Sequence, residues 1–336
     1  MTKKKEDEDL NKKTLESVIN SLQKEFGKDI IFGMDEVVGN IEKISTTSLS
    51  LDIALGGGMP MGRLIEIYGK LSSGKTTLAL TIMANAIKQT GKPTLIVDVE
   101  HALDWVYMRN LGLTTGNTKI SQPESAEIAL EVMLKTIASG QFSVVCLDSV
   151  AALLPKGQAD KKIGEKTIAL VALLMSESCK KIANAASKTN TMVIFINQLR
   201  VSKEGSFFVD RPTGGNALGF YISIRIKIKK DTEITSKNNI IGIISTGKVE
   251  KNKVAPPLKL FSLNIIFGKG ISEVEELVNL ASEYEVVEKS GSWYKYKEDQ
   301  IGQGRTAVVD FFNCNPDILS KVKKDVRSLM ESERAL

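Results

Sequence analysis

Cysteine is scarce in this chain. Cys146, Cys179 and Cys314 are the only three in 336 residues, and none lies at a metal-ligand spacing from another. No disulfide framework is expected, and reduced thiols in the cytoplasm are the plain reading. Histidine is scarcer still, with His101 alone. Lacking a histidine or cysteine neighbour, His101 reads as a packing or capping residue rather than a metal ligand. No apolar run approaches the roughly 18 residues that cross a bilayer. The opening stretch, MTKKKEDEDLNKK, is polar and mixed in charge, so no signal peptide is expected. Only 8 prolines and 42% hydrophobic residues describe a globular chain with one large core and room for one or two smaller domains. Repeats and low-complexity segments are missing beyond the charged N-terminal arm.

The net charge of +5 is modest, but its distribution is uneven. Between Ser223 and Leu260 stand nine Lys or Arg (225, 227, 229, 230, 237, 248, 251, 253 and 259) against Asp231, Glu233 and Glu250. Such a band is either a solvated strand edge or the footprint of a polyanion.

Periodicity orders the rest. LESVINSLQKEF sets Leu15, Val18, Ile19, Leu22 and Phe26 at helical spacing, with Gly27 as the stop, which predicts a short amphipathic helix ahead of the main domain. From residue 63 the apolar strands RLIEIYG, TLIVDVE, FSVVCLDSV and MVIFINQL alternate with helices over about 75–88, in SAEIALEVMLKTIASG and over about 166–187. Continuous apolar strands separated by helices predict a parallel sheet covered on both faces. YISIRIKIKK, IIGIIST and LKLFSLNIIF then read as an antiparallel extension. Beyond Gly268 helices return around the aromatic strand SWYKYK, as a small α/β lobe in which Trp293, Tyr294 and Tyr296 alternate between core and solvent.

The most specific string is GKLSSGKT, Gly69 to Thr76, which fits G-x-x-x-x-G-K-[ST] between a strand and a helix. Gly69, Lys70, Leu71, Ser72, Ser73 and Gly74 turn backbone N–H groups toward phosphate oxygens at a helix N-terminus. Lys75 adds a charge at the β and γ phosphates of ATP, Thr76 offers a hydroxyl to Mg²⁺, and Thr77 follows on the same turn. Asp148 ends the strand VVCLD, where a carboxylate holds Mg²⁺ through water. Glu100, past the end of TLIVD, lies at the edge where open α/β sheets bind ligands. It either orients the attacking water or caps the helix in HALDWVY.

VSKEGSFFVDRPTGG, residues 201 to 215, shows neither a helical nor an alternating period. It reads as a long loop, a feature that marks function or disorder. By themselves its two phenylalanines suggest a stacking platform for single strands.

GKLSSGKTTLAL, DVEHALDWVYMRNLGL, LDSVAALLPK, IFINQLR, TGGNAL, EKNKVAPP and GSWYKYKEDQIGQGR follow one another in the order and spacing of one family. From the N-terminal helix to about residue 330 the chain resembles the bacterial RecA family of strand-exchange recombinases. The resemblance implies an α/β, RecA-like P-loop ATPase core. Its central sheet is mainly parallel, flanked by helices, with an antiparallel extension, a short N-terminal helical segment and a small C-terminal α/β lobe. The domains would be 1–37 for oligomerisation, 38–272 for the ATPase core and 273–336 for the C-terminal domain.

Roles follow by resemblance. Glu100 activates the hydrolytic water, Asp104 and Tyr107 contact adenine, and Gln198 senses the γ-phosphate. Lys251 and Lys253 reach the ATP of a neighbouring protomer, in the manner of an arginine finger. Two loops, 156–168 and 199–215, hold DNA without sequence preference. Ile168, Lys180, Arg200, Lys203, Gly214 and Gly215 are the candidate contacts, and Lys289 and Arg305 face duplex DNA. Phe220 lies at the protomer interface. Implied partners are single-stranded and double-stranded DNA, further copies in a helical filament, a LexA-type repressor, a single-strand-binding protein and loading factors, with no membrane. On this pattern 201–215 becomes a nucleotide-gated clamp, its phenylalanines turned to packing or to the neighbour.

Some positions depart from the family. Ile168 replaces a methionine, Lys203 stands where an apolar residue wedges between base triplets, and the second loop is one residue short. Gly219 replaces a lysine before Phe220. The chain ends ESERAL without the acidic tail many relatives carry, which predicts a weaker need for Mg²⁺ beyond that taken by ATP. Two other readings stand beside the recombinase: a hexameric RecA-like motor, and a filament scaffold with a vestigial ATPase. The N-terminal helix and the GSWYKYK lobe speak against the first, and the intact Glu100, Asp148, Gln198 and lysine pair against the second.

Overall fold

Four runs of β-branched and aliphatic residues, each too short for a helix and too apolar for a surface, form the centre of the molecule. The computed structural model describes residues 2–27, 30–31, 41–159, 168–204, 207–215, 217–236 and 239–335. They divide into two compact units, residues 1–42 and 43–336.

In the first unit, α1 (Thr2–Phe26) is far longer than the sequence periodicity predicts. The apolar stripe only begins at Leu15, but the residues before it are rich in Lys with Glu6 and Glu8 among them, residues that favour helix without needing a buried face. Gly27, at φ 103°, ends it. Leu15 and Phe26 remain about 60% exposed, while Ile19 and Leu22 of the same stripe are half-buried.

The second unit begins with β1 (Lys43–Ile44), α2 (Leu49–Ala54) and β2 (Met59–Pro60), and continues through β3 (Leu64–Gly69), α3 (Lys75–Thr90), β4 (Thr94–Asp98) and α4 (Trp105–Asn110). β5 (Thr118–Ser121), α5 (Ala126–Ala138), β6 (Val144–Asp148), the short α6 (Lys156–Ala159) and α7 (Ile168–Thr189) lead to β7 (Met192–Glu204) and β8 (Phe207–Pro212). Then come α8 (Ala217–Tyr221), β9 (Ile224–Ser236), β10 (Asn239–Asn252), β11 (Leu260–Ile266) and β12 (Gly270–Ile271). Among the described residues the main sheet runs β12-β11-β10-β9-β3-β7-β6-β4-β5, with β8 paired to β7. From β9 to β5 every pairing is parallel, and from β9 to β12 every pairing is antiparallel. This RecA-like α/β sheet, with its antiparallel extension, matches the expected fold class.

Both sheet faces are covered. One core layer joins Ile65, Ile67, Ile194 and Ile226 to Leu78, Ile82 and Met83 of α3. The other joins Val145, Leu147, Val193 and Phe195 to Met133 of α5 and Met175 and Cys179 of α7. Each such buried side chain contributes about 1.5–3 kcal/mol against exposure. Sheet and helices thus hold the C-terminal ends of β3, β4, β6 and β7 at one edge.

The stretch read as a loop is a hairpin. β7 continues without a break from the core through Val201 to Glu204, and β8 pairs with it antiparallel, with Lys203 opposite Phe208 and Leu199 opposite Pro212. The strand signal lies in Val201, Phe207, Phe208 and Val209. The charged residues come in adjacent pairs, Lys203–Glu204 and Asp210–Arg211, so no alternation shows in the sequence. The first loop falls largely outside the described residues, which stop at 159 and resume with Ile168 at the start of α7.

The C-terminal lobe contains α9 (Glu273–Glu283), a three-stranded antiparallel sheet of β13 (Glu288–Ser290), β14 (Trp293–Tyr296) and β15 (Asp299–Gln303), then α10 (Arg305–Cys314) and α11 (Pro316–Ala335). The sequence shows only the middle strand, because its short neighbours lack apolar alternation. On β14, Tyr294 and Tyr296 are buried while Trp293 is 45% exposed, the alternation expected.

Candidate nucleotide site and its link to the hairpin

The phosphate loop spans the end of β3 and the start of α3. Ser72 and Gly74 adopt left-handed backbone, at φ 56° and 87°, which turns successive N–H groups inward. At Gly74 the left-handed φ favours glycine, and a Cβ there would fall 2.3 Å from Ile265 Cδ1 and force that side chain aside. Gly69 is as constrained: its Cβ would lie 2.0 Å from the carbonyl oxygen of Ile228. Lys75 is buried, and its Nζ donates to the Lys70 carbonyl at 2.7 Å. Burial lowers its pKa, against the pull of Asp148 and Glu100. Leu71 at the loop's tip is 75% exposed.

Thr76 Oγ1 donates to Asp148 Oδ2 at 2.9 Å. Burial pushes the Asp148 carboxyl up to about 6, opposed by that hydrogen bond and by Lys75, and reinforced by Glu100 and Asp98. Asp98 sits directly beside Asp148 in the sheet, held by Gln122 at 3.0 Å. Glu100 accepts from two directions on one oxygen: Ser149 Oγ and, at 2.8 Å, Gln198 Nε2. It does not cap the following helix. That place belongs to Asp104, whose Oδ1 accepts from the backbone of Val106 and Tyr107 at 2.9 and 3.0 Å. Tyr107 donates its hydroxyl to Thr77 Oγ1 at 3.1 Å, which sets the ring beside the start of α3. His101 is exposed at φ 55° and packs no core. Among the described residues no cluster of three His, Cys, Asp or Glu would hold a metal by itself.

The remaining candidates fall in three places. Arg200 lies on β7 as it leaves the core, its Nη2 on the Ala151 carbonyl at 3.4 Å. Gly214 and Gly215, at φ 84° and 75°, end the hairpin against α7 and the turn after β6. Their Cβ atoms would fall 2.7 Å from Val150 Cγ1 and 2.8 Å from Ala172 Cβ. Lys180 is exposed on α7, and the side chains of Ile168 and Lys203 lie outside the described residues. At the base of β10, Lys251 Nζ donates to the carbonyls of Gly219 and Phe220 at 2.8 and 3.4 Å, and Lys253 is exposed. Phe220 is 74% exposed. In the C-terminal lobe Lys289 lies over the Tyr294 ring at 5.5 Å. Arg305 is bound to its own lobe, with Nε and Nη2 on Glu275 at 2.8 and 2.6 Å and Nη1 on Asn279.

The basic band divides. Lys227, Lys229 and Lys248 line a cleft of about 610 Å³ between the antiparallel strands and the C-terminal helices, with Leu260, Tyr284 and Met330 on its other walls. Arg225 and Lys251 turn instead into contacts within the protein. Sequence reading missed Ser149, Asp98, Asn197 and Glu66, all buried: Ser149 bonds Glu100, Asn197 bonds Gln198, Asp98 stands beside Asp148 in the sheet, and Glu66 is bonded to Asn197. Glu66 and Asn197 carried a signal, as polar residues inside otherwise apolar strands.

A model of the RecA N-terminal domain matches residues 13–272, and one of the RecA C-terminal domain matches residues 275–331. Protein RecA of Syntrophus aciditrophicus is 46% identical over 321 residues, which cover 94% of this chain and 93% of that protein. Protein RecA of Parvibaculum lavamentivorans is 45% identical over 329 residues, 96% of this chain and 89% of the relative. A phosphate loop on a RecA-like sheet, two matched domains and relatives along nearly the whole length lead to one conclusion: the chain belongs to the RecA family, the DNA-dependent ATPases of homologous recombination.

Proposed function

We propose that the chain binds ATP with Mg²⁺ and assembles as a helical filament on single-stranded DNA. The filament then pairs that strand with homologous duplex and exchanges strands. The observation that carries this reading is the bond from Gln198 to Glu100, because Gln198 is also the point where β7 leaves the core to become the hairpin. A side chain that meets the catalytic carboxylate on one side and roots a DNA-facing element on the other is suited to transmit nucleotide state.

Thr76 and Asp148 offer hard oxygen donors at the loop's mouth, a set that fits Mg²⁺ held mainly by phosphate and water. When bound, the ion neutralises charge on the terminal phosphates. The chain's own residues do the rest. Lys75 and the loop amides hold the phosphates, Tyr107 and Asp104 border the base, and Glu100 orients water for attack in line with the leaving oxygen. Lys251 and Lys253 serve the neighbour's ATP, with Phe220 in the same contact. Arg200, Lys203, Lys180, Ile168 and the glycine pair face the single strand, where cations and backbone amides hold phosphates without reading bases. Lys289 and the lysine-lined cleft suit a second polyanion, and Arg305 does so only by sharing its carboxylate. The same filament is the form that would meet a LexA-type repressor, a single-strand-binding protein or loading factors in the cytoplasm.

Strand exchange between a circular single strand and a homologous linear duplex tests the reading, with ATP hydrolysis followed in parallel. Joint molecules and DNA-stimulated hydrolysis support it. Rings in electron micrographs with single-stranded DNA and ATPγS, and no joint molecules, point to the hexameric motor instead.

A further inference from the structure

We propose that Glu66 is a positioning residue for ATP hydrolysis, its buried carboxylate tying the root of the hairpin to the strand that carries Lys251. This rests on the reading of Lys251 as the group offered to a neighbour's ATP.

Glu66 lies in the middle of β3, flanked by β7 and β9, and is 1% exposed. A carboxylate there is costly unless paired and hydrogen-bonded, and an apolar residue would fill the space without a counter-ion. Both oxygens are engaged, each by a different neighbouring strand. Oε1 accepts from Asn197 Nδ2 at 2.8 Å, and Oε2 lies 2.9 Å from Arg225 Nε.

On the β7 side, Asn197 holds both ends of the hairpin. Its Oδ1 accepts from the Gln198 backbone at 2.8 Å and from Thr213 Oγ1 at 2.5 Å, and its Nδ2 also donates to the Thr213 carbonyl at 2.9 Å. Gln198 is the residue that touches Glu100. On the β9 side, Arg225 stands directly opposite Lys251 in the ladder and lies over the Tyr68 ring at 4.9 Å. Tyr68 donates its hydroxyl to Glu250, the residue before Lys251. A Cβ placed on Gly219, the residue whose carbonyl receives Lys251 Nζ, would lie 3.8 Å from Arg225 Nη1. One carboxylate therefore joins the nucleotide-facing end of β7 to the base of the lysine strand, by hydrogen bonds through Asn197 on one side and by an ion pair with Arg225 on the other. Such a network couples two sites when it has a preferred arrangement that both sites bias.

The test uses full-length Glu66→Gln, which keeps the shape and removes the charge, and Asn197→Ser, which cuts only the hairpin arm. ATP hydrolysis is measured with and without single-stranded DNA, alongside the affinity of the free subunit for a fluorescent ATP analogue and the melting temperature. Both variants should bind nucleotide within about twofold of wild type, keep KM, and lose DNA-stimulated kcat by on the order of tenfold. A lowered melting temperature with intact kcat in either variant overturns the proposal, since that is the mark of a merely structural ion pair. Absence of DNA stimulation in the wild type overturns the functional reading together with it. Stimulation that is normal in the wild type and in both variants overturns this inference alone.

Discussion

Gln198 Nε2 and Glu100 Oε1 are 2.8 Å apart, joined by a hydrogen bond that reaches across the end of β6, which separates their strands in the sheet. Ser149, at the end of β6, donates to the same oxygen, so the carboxylate is oriented from both sides. Truncating Gln198 to alanine removes one orienting donor and the only side-chain contact described between the hairpin's root and Glu100. Nucleotide affinity should change by less than about threefold, since the loop amides and Lys75 are untouched. The rise in affinity for labelled single-stranded DNA on adding ATPγS should disappear, as read by fluorescence anisotropy. An unchanged rise would remove Gln198 from the coupling.

Lys75→Ala addresses the phosphate loop itself. Lys75 Nζ sits on the Lys70 carbonyl in a site with two carboxylates nearby, so its charge is held at the loop's mouth by protein groups. Removing a desolvated cation from a phosphate contact costs on the order of 3 kcal/mol, about a hundredfold in affinity. Nucleotide titration by calorimetry should show that loss, and ATP-dependent DNA binding should vanish with it. Retained ATP-dependent binding would move the nucleotide elsewhere.

The core of this site was legible because its chemistry demands contiguous residues. A phosphate loop needs glycines and a lysine in a fixed frame, and a strand ending in aspartate is visible as such. The hairpin was not legible, since Val201-Ser-Lys-Glu204 and Phe207-Phe-Val-Asp-Arg-Pro212 cluster their apolar and charged residues instead of alternating them. The extended α1 was hidden for a related reason: a helix of charged residues has no stripe to count. The network around Glu66 could be suspected but not drawn. RLIEIYG and IFINQL each place a polar residue among apolar ones. Only the registers of β7 and β9 on β3 reveal that Asn197 and Arg225 meet the same carboxylate. The cap role of Asp104 and the internal pairing of Arg305 with Glu275 depend equally on tertiary position.

Lys251→Ala separates a group acting within a subunit from one acting between subunits. Its Nζ rests on the carbonyls of Gly219 and Phe220, next to the exposed Phe220 ring, and burial together with Lys253 and Arg225 lowers its pKa. Both carbonyls can turn to water after truncation, so the fold should lose little. Hydrolysis on DNA should fall on the order of a thousandfold, the scale of a removed finger residue. Nucleotide affinity of the free subunit should stay within about twofold, because the phosphate loop is intact. A matching loss of free-subunit affinity would make Lys251 a ligand of its own subunit's ATP.

Glu276 gives the C-terminal lobe a pH dependence whose sign can be worked out. It is 1% exposed on α9, and its two oxygens accept from Ser48 Oγ, Leu49 N, Ser50 N and Ser50 Oγ at the start of α2. Burial pushes its carboxyl up to about 7 from 4.5, although all four donors oppose the shift. The folded form therefore binds the proton more tightly than the unfolded chain. Stability from this group is fully present below 4.5 and is lost as pH rises through about 7. The whole window amounts to roughly 3 kcal/mol. Urea denaturation near pH 5 and near pH 8 should show the wild type losing more stability than Glu276→Gln between the two, because glutamine does not titrate. Comparison with the variant removes the slope of every other carboxylate. Equal losses in both proteins would mean that the four donors keep Glu276 ionised throughout, and that the lobe is fastened to α2 by a charge rather than by a shared proton.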